Sequence, residues 1–276
     1  EIYTLSLHDA LPIFGAPKKL VVILGITLAV LCGLEITFGI LGILLHGILR
    51  IVVAVILGIL ICVFAFIFFK FKKMYDAFDY AGDRKLSKQI VEGVAKYVEV
   101  PSGGKCLDVG CGSGALSIAV AKENPDSTVV GIDRWGKEYA SFSKELCESN
   151  AVAEGVNNTV FKKGDAVKLS FPDETFDAVT SNYVYHNVTG ANKQELLLET
   201  LRVLKKGGTF ALHDIMSKRR YGDMDEFILK LKDMGYREVR LVPTDSGLFM
   251  SEREGKSYFL KGSAPKIGRA SCRERV

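Results

Sequence analysis

An apolar run at residues 106–109, CLDV, breaks into glycines at the alternate positions 110, 112 and 114 before a helix-forming stretch opens at Ala115. A strand that ends in a glycine turn and passes straight into a helix is how an α/β sheet offers backbone N–H groups to a nucleotide-like ligand. The spacing is Gly-x-Gly-x-Gly, not the Gly-x-Gly-x-x-Gly of a dinucleotide turn, and Asp108 precedes it. A carboxylate there repels a pyrophosphate and suits a ligand with a cationic group. That spacing argues against a nicotinamide-dependent oxidoreductase.

The chain after this turn alternates strand and helix patterns, which predicts a parallel sheet. A helix over 115–123 is followed by a turn at Asn124, Pro125 and Asp126 and a β-branched strand over 128–132. That strand ends at Asp133, a carboxylate able to accept both hydrogen bonds of a ribose diol. Arg134 and Trp135 follow; the indole can lie along a purine or ribose edge, or pack on the outer face as a helix starts. Further on, the patterns predict a helix over 137–154, a strand over 160–163 leading to Gly164, Asp165 and Ala166, and a strand over 177–180. The exit of that last strand, residues 181–187, carries Asn182 and His186. A histidine titrating near pH ~6.5 can take a proton from a hydroxyl or an acidic carbon, but it can equally cap a helix or shape a pocket. A helix over 195–204, a turn at 206–208, a strand over 209–213, a helix over 223–234 and two strands at 236–242 and 257–260 complete the pattern. Upstream, Leu86, Ile90, Val94 and Tyr97 recur with helical spacing within 74–100, with Asp83 near the start. This predicts a helix against the sheet that roofs the pocket, preceded by Tyr75, Phe78 and Tyr80.

LDVGCGSG at 107–114 resembles the first motif of the class I methyltransferases that use S-adenosylmethionine, and later stretches line up in that family's order. VGID at 130–133 resembles the second strand with its ribose-binding acid, GDA at 164–166 the adenine-contacting stretch, and FDAVTSN at 176–182 the fourth strand with its active-site rim. LKKGGTF at 204–210 resembles the turn into the fifth strand. The resemblance covers about residues 75–261. It implies a Rossmann-like seven-stranded sheet with helices on both faces, S-adenosyl-L-methionine as cofactor, and a domain over 74–263. It places Asp108, Gly110, Cys111, Gly112, Gly114, Asp133, Arg134, Trp135, Gly164, Asp165, Ala166 and Asn182 around the cofactor, with Asn182 and His186 beside the transferring methyl group. Asp165 would accept from the adenine amino group, and Asp108 would favour the cationic methionine end. The Asn-Pro-Pro-Tyr signature of amine methylation in nucleic acids and proteins is absent.

Residues 20–45, interrupted by Glu35, and residues 51–69 are apolar runs of the length needed by a helix rising about 1.5 Å per residue to cross about 30 Å of hydrocarbon. They predict two transmembrane helices forming a hairpin over 20–69, with His46, Gly47 and Arg50 near its far turn. Lys18 and Lys19 before it and Lys70, Lys72 and Lys73 after it place both outer ends, and so the catalytic domain, in the cytoplasm. Glu35 is costly in hydrocarbon unless protonated or turned inward; it either pairs within the hairpin or belongs to a lipid-binding or helix-pairing site. Glycines at 25, 33, 39, 42 and 47 allow close helix approach.

Within 1–19, the leader, residues 1–13 are unrelated to their neighbours; like 267–276, they resemble translated sequencing-adapter fragments and are set apart from the fold. The net charge of +4 includes no basic block in the soluble part, so nucleic acid is not an expected partner. The six cysteines are scattered without metal-like spacing, and no metal is expected. The expected acceptor is a small, lipid-like or hydrophobic molecule met at the bilayer. The alternatives are a noncatalytic S-adenosylmethionine-binding scaffold protein at the membrane and an RNA methyltransferase.

Overall fold

The protein is described by a computed structural model over residues 18–41, 48–78, 85–136, 142–244 and 258–265. The chain divides into two compact units between Lys85 and Leu86.

The first unit contains α1 (Lys18–Leu41) and α2 (Ile48–Phe78). Both hold windows long and apolar enough to cross a membrane, judged by length and composition. They pack on each other where Gly25 meets Phe68: a Cβ on that glycine would stand 3.2 Å from the ring, whereas one on Gly33 would meet nothing within 4 Å. Of the break expected over 45–50, residues 45–47 lie outside the described residues and residues 48–50 already belong to α2. Helix α2 runs past the apolar run to Phe78, carrying Lys72 into an ion pair with Asp76 at 2.6 Å one helical turn on. Glu35 finds no hydrogen-bond partner among the described residues, although its Oε2 is buried.

The second unit begins with α3 (Leu86–Ala95), shorter than the helix expected over 74–100; Tyr80 and Asp83 lie outside the described residues. Its apolar face, Leu86, Ile90 and Val94, is buried against the next helix and the sheet. At its C-terminal side Glu99 O accepts from Thr209 Oγ1 at 3.5 Å, at the amino half of a strand. The helix lies against the sheet, as the sequence reading expected.

Then follow β1 (Lys105–Val109), α4 (Ala115–Glu123), β2 (Thr128–Asp133), α5 (Lys144–Ala153), β3 (Thr159–Lys163), β4 (Phe176–Asn182), a single 3₁₀ turn (Tyr185–Asn187), α6 (Lys193–Arg202), β5 (Leu204–Asp214), α7 (Lys218–Tyr221), α8 (Met224–Asp233), β6 (Arg237–Pro243) and β7 (Tyr258–Ser263). The seven strands run in the order β3-β2-β1-β4-β5-β7-β6, parallel through β5 and antiparallel for β7 and β6. Strand alternation sorts the side chains of β1. Leu107 and Val109 join the core containing Leu196, Leu197 and Leu201 of α6 and Phe227 and Leu231 of α8. Asp108 faces the opposite way, toward Ser117 of α4. The sheet is thus covered on both sides.

Three boundaries differ from the sequence reading for local reasons. Helix α5 starts at Lys144 and not at 137, because Ser143 caps it by accepting from Leu146 N–H at 3.1 Å; residues 137–141 are not described. Helix α6 starts at Lys193, capped by Asn192. The expected turn at 206–208 lies inside β5, as a register irregularity: Phe176 pairs with Leu204 while Ala178 pairs with Thr209.

Candidate active site

Strand order reverses between β1 and β4, since the chain winds outward from β1 to β3 and then returns to β4. The crevice outside the carboxyl ends of the strands at such a reversal is where open α/β sheets bind ligands. The glycine turn after β1 and the exit of β4 meet there.

Gly110 has φ +73°, and a Cβ on it would lie 2.3 Å from Val184 of the β4 exit. Only glycine satisfies both the left-handed backbone and that approach. The N–H groups of Gly110 and Cys111 donate to Ile132 O at 2.8 and 3.0 Å. Gly114, φ +85°, opens α4 without a side-chain cap. The amino end of this helix, with its partial positive charge, is one wall of the crevice.

Asp133 ties the rim together. Its Oδ2 accepts from Gly112 N–H at 2.9 Å and its Oδ1 from Trp135 N–H at 2.8 Å, while its backbone carbonyl accepts from Gly164 N–H at 2.9 Å. A carboxylate has about four lone-pair directions, so two remain, as a ribose diol requires. Trp135 sits at φ +44°, and its indole N–H donates to Gly112 O at 3.0 Å. The ring packs on the small cluster of Cys111, Ile118, Cys147, Ala151 and Phe161. Arg134 beside it is exposed. Asp165 uses Oδ1 in its own turn, accepting from Val167 N–H at 2.9 Å; Oδ2 takes no part in that turn.

Two of the expected cofactor residues turn their side chains away from this rim. Asp108 is buried beneath the glycine turn and accepts from Ser117 Oγ at 2.6 Å and Thr180 Oγ1 at 3.2 Å. Burial pushes its carboxyl up to about 6, with the two hydroxyls opposing the rise and Asp133 adding to it. Cys111 is buried against Cys147, and burial holds its thiol well above the usual range. Only its backbone can meet a ligand at the turn.

The opposite wall is the exit of β4. Tyr183 takes φ +57°, uncommon for a residue with a side chain, and its N–H donates to His213 O at 2.8 Å. Asn182 Oδ1 accepts from His213 Nδ1 at 2.7 Å. Burial lowers His213 to about 3, partly offset by the Asp214 charge, so the ring is neutral and carries its proton on Nδ1. Asn182 therefore presents its amide NH₂ as a donor. His186 Nδ1 lies 2.5 Å from Asp214 Oδ1. Asp214, fully buried, also accepts from His186 N–H at 3.1 Å and Tyr221 O–H at 2.8 Å through Oδ2, and from Ile215 N–H at 2.7 Å through Oδ1.

The predicted residues thus form two walls, Asp133 with the turn and Asn182 with His186. The partners Asp214, Tyr221, Ser117 and Thr180 were not singled out in the sequence. The signal for Asp214 was present: a carboxylate closing an apolar strand at its carboxyl end, next to a histidine. Among the described residues, no group of three or more His, Cys, Asp or Glu could hold a metal ion.

Residues 101–242 match the profile of a family described as a methyltransferase domain. Demethylmenaquinone methyltransferase of Roseiflexus castenholzii is 32% identical over 120 residues, which are 44% of this chain and 46% of that protein. Sterol 24-C-methyltransferase ERG6A of Gibberella zeae is 32% identical over 149 residues, 54% of this chain and 35% of that protein. The chain spans less than half the length of these two relatives. Phosphoethanolamine N-methyltransferase 2 of Haemonchus contortus, solved with phosphomonomethylethanolamine and S-adenosylhomocysteine, shares the fold with a TM-score of 0.51 at 14% identity, covering 68% of this chain and 56% of that one.

Proposed function

The chain belongs to the methyltransferase-domain family, and from that premise we propose that it transfers a methyl group from S-adenosylmethionine to a small lipid-like acceptor at the cytoplasmic face of a membrane. When bound, the cofactor supplies a methyl group already activated on a sulfonium centre, so the protein has to align and, where needed, deprotonate the acceptor. The observation that carries the reading is the joining of Asp133 to Gly112 and Trp135 across the glycine turn. This leaves carboxylate lone pairs at a strand end beside the uncapped amino end of α4.

Asp133 holds the ribose, Asp165 and Ala166 border the base, and the glycine turn brings backbone to the methionine part. Asp108 favours its cationic end from below, as a charge that ionises more readily once a cation arrives. Asn182 donates through its amide toward the methionine part or the acceptor, and His186 stands beside the acceptor.

The acceptor class rests on two supports. Both relatives are named for lipid-like substrates, a menaquinone precursor and a sterol. The same chain also carries α1 and α2, with outward apolar side chains such as Ile36 and Phe66 at 64% and 70% exposure. At about 1.5 Å per residue the 31 residues of α2 extend about 46 Å, past about 30 Å of hydrocarbon, so its lysine-bearing end emerges into water. Lysines at both outer ends of the hairpin favour the cytoplasmic side. Carrying both units in one chain raises the effective concentration of membrane-dissolved acceptors.

Calorimetric titration of the full chain in detergent with S-adenosylmethionine, S-adenosylhomocysteine and NADH is the test, followed by transfer of a labelled methyl group to demethylmenaquinone and to a sterol. Binding of the first two but not NADH, with label on a lipid-like acceptor, is the expected result. Binding of NADH alone sinks the reading, and label found only on water-soluble acceptors removes the lipid-like class.

A further inference from the structure

We infer that Asp214 is a positioning residue that holds His186 with its proton on Nδ1 and Nε2 as the basic nitrogen, so that the acceptor is a molecule whose reacting group must lose a proton. The inference rests on the methyl-transfer reading above and deepens it.

The carboxylate of Asp214 is wholly buried and surrounded by donors. The His186 ring, the His186 backbone, the Tyr221 hydroxyl and the Ile215 backbone supply four hydrogen bonds at 2.5, 3.1, 2.8 and 2.7 Å, which fills the lone-pair directions a carboxylate has. Burial by itself would raise its pKa; the bond and charge of His186, the Tyr221 hydroxyl and the Ile215 N–H outweigh that and bring it below the ordinary carboxylate range. An ionised carboxylate facing Nδ1 requires a proton on Nδ1. A neutral imidazole then has its lone pair on Nε2, and the imidazolium that forms on proton uptake is balanced by a charge already in place.

A staple between the β4 exit and β5 does not need this carboxylate. Tyr183 N–H already bonds His213 O, and Val184 is seated on Gly110. The left-handed backbone at Tyr183, whose buried ring lies 4.4 Å from that of His213 and tilted 59° to it, turns the chain so that His186 meets Asp214 at the end of β5. Strain of this kind persists where surrounding structure over-determines it, and it clusters at functional sites. Among the described residues, the other titratable or charged groups around the pair include Tyr183, with its ring 6.3 Å from that of His186, Tyr185 and His213, which feel the Asp214 charge, Tyr221 of α7, and Arg220, whose charge acts on the Tyr221 hydroxyl.

In the reaction the acceptor's proton passes to Nε2 of His186. The electron pair it leaves forms the bond to the methyl carbon, and the pair of the broken carbon–sulfur bond stays on sulfur. His186 then returns its proton to water, so one proton is released per methyl transferred. An acceptor whose attacking atom already carries a free lone pair and no proton to lose, such as a thioether or a tertiary arylamine, needs no such base.

The test reads the ring directly. The full chain in detergent, labelled with ¹⁵N-histidine, has four histidines, and His186→Gln identifies the signal of interest. Wild-type His186 is expected as the Nδ1–H tautomer. Asp214→Asn should remove that preference, so that the Nε2–H tautomer becomes populated. In methyl transfer to demethylmenaquinone, Asp214→Asn should lower kcat by about 10²-fold and leave KM nearly unchanged. An Nε2–H tautomer in the wild type, or a tautomer that stays the same in Asp214→Asn, overturns the assignment. A change of tautomer without any fall in kcat overturns the proton-abstraction role and the acceptor class. Failure of the wild type to bind S-adenosylmethionine overturns the methyl-transfer reading instead, and leaves the tautomer result standing.

Discussion

A Cβ on Gly110 would stand 2.3 Å from Cγ2 of Val184, far inside van der Waals contact. The turn after β1 and the exit of β4 are therefore built against each other, and the shape of the crevice depends on a missing side chain.

Gly110→Ala should lower the melting temperature and abolish detectable S-adenosylmethionine binding. Two costs combine, the left-handed φ of +73°, on the order of 1–2 kcal/mol, and the collision with Val184. Adding Val184→Ala should recover the second cost and not the first. Thermal melts and calorimetry on the single and double variants check this; full recovery in the double variant would mean that the backbone conformation is unimportant.

Asp133→Ala should weaken S-adenosylmethionine binding by about 100-fold, or about 2.7 kcal/mol, because it removes the ribose acceptor and unties Gly112 and Trp135 together. Asp133→Asn should also lose affinity, since an amide NH₂ must then face one of those two backbone donors. An Asn variant that binds like the wild type would contradict the paired-acceptor geometry.

Trp135 is the only tryptophan in the chain, and its indole N–H is bonded to Gly112 O. Its fluorescence should change on titration with S-adenosylmethionine, with a midpoint matching calorimetry, and stay unchanged with NADH. An unchanged spectrum at saturating cofactor would place the ligand away from this rim.

Asp108 and His213 should leave opposite marks on the pH dependence of stability. Asp108 is raised from 3.8 to about 6, so its contribution is fully present below about pH 4 and is lost as pH rises through 6, a change on the order of 3 kcal/mol. His213 is lowered from 6.5 to about 3, so its contribution is present above about 6.5 and is lost as pH falls toward 3, on the order of 5 kcal/mol. The two slopes oppose each other between about pH 4 and 6. Denaturant melts of Asp108→Asn should show steeper stabilisation with rising pH than the wild type, and those of His213→Gln a shallower one. Parallel curves for all three proteins would refute both shifts.

The strands and helices near the glycine turn were legible because their signals are local. Helix α4 follows its expected bounds, since glycines and a helix-forming run mark them directly. The start of α5 moved because the cap is Ser143, inside a stretch whose composition continues a helical pattern on either side. The turn expected at 206–208 became part of β5 because neighbouring strands paired across it, a contact that no window around Gly207 contains. Asp133 was legible as a strand-end carboxylate; that it also organises the turn through Gly112, 21 residues earlier, was not.

By itself the sequence determined the α/β class, the glycine turn that ends β1 and the presence of two long apolar helices, because periodicity, glycine spacing and hydropathy act between near neighbours. Only the tertiary structure decided which groups share a hydrogen bond or a charge. His186 and Asp214 are 28 residues apart, and Asp108 and Thr180 are 72. They meet because β1, β4 and β5 lie side by side, and burial at their carboxyl ends then sets the protonation of Asp108, His213 and Asp214 by stripping away water and leaving each group to the partners the sheet brings it.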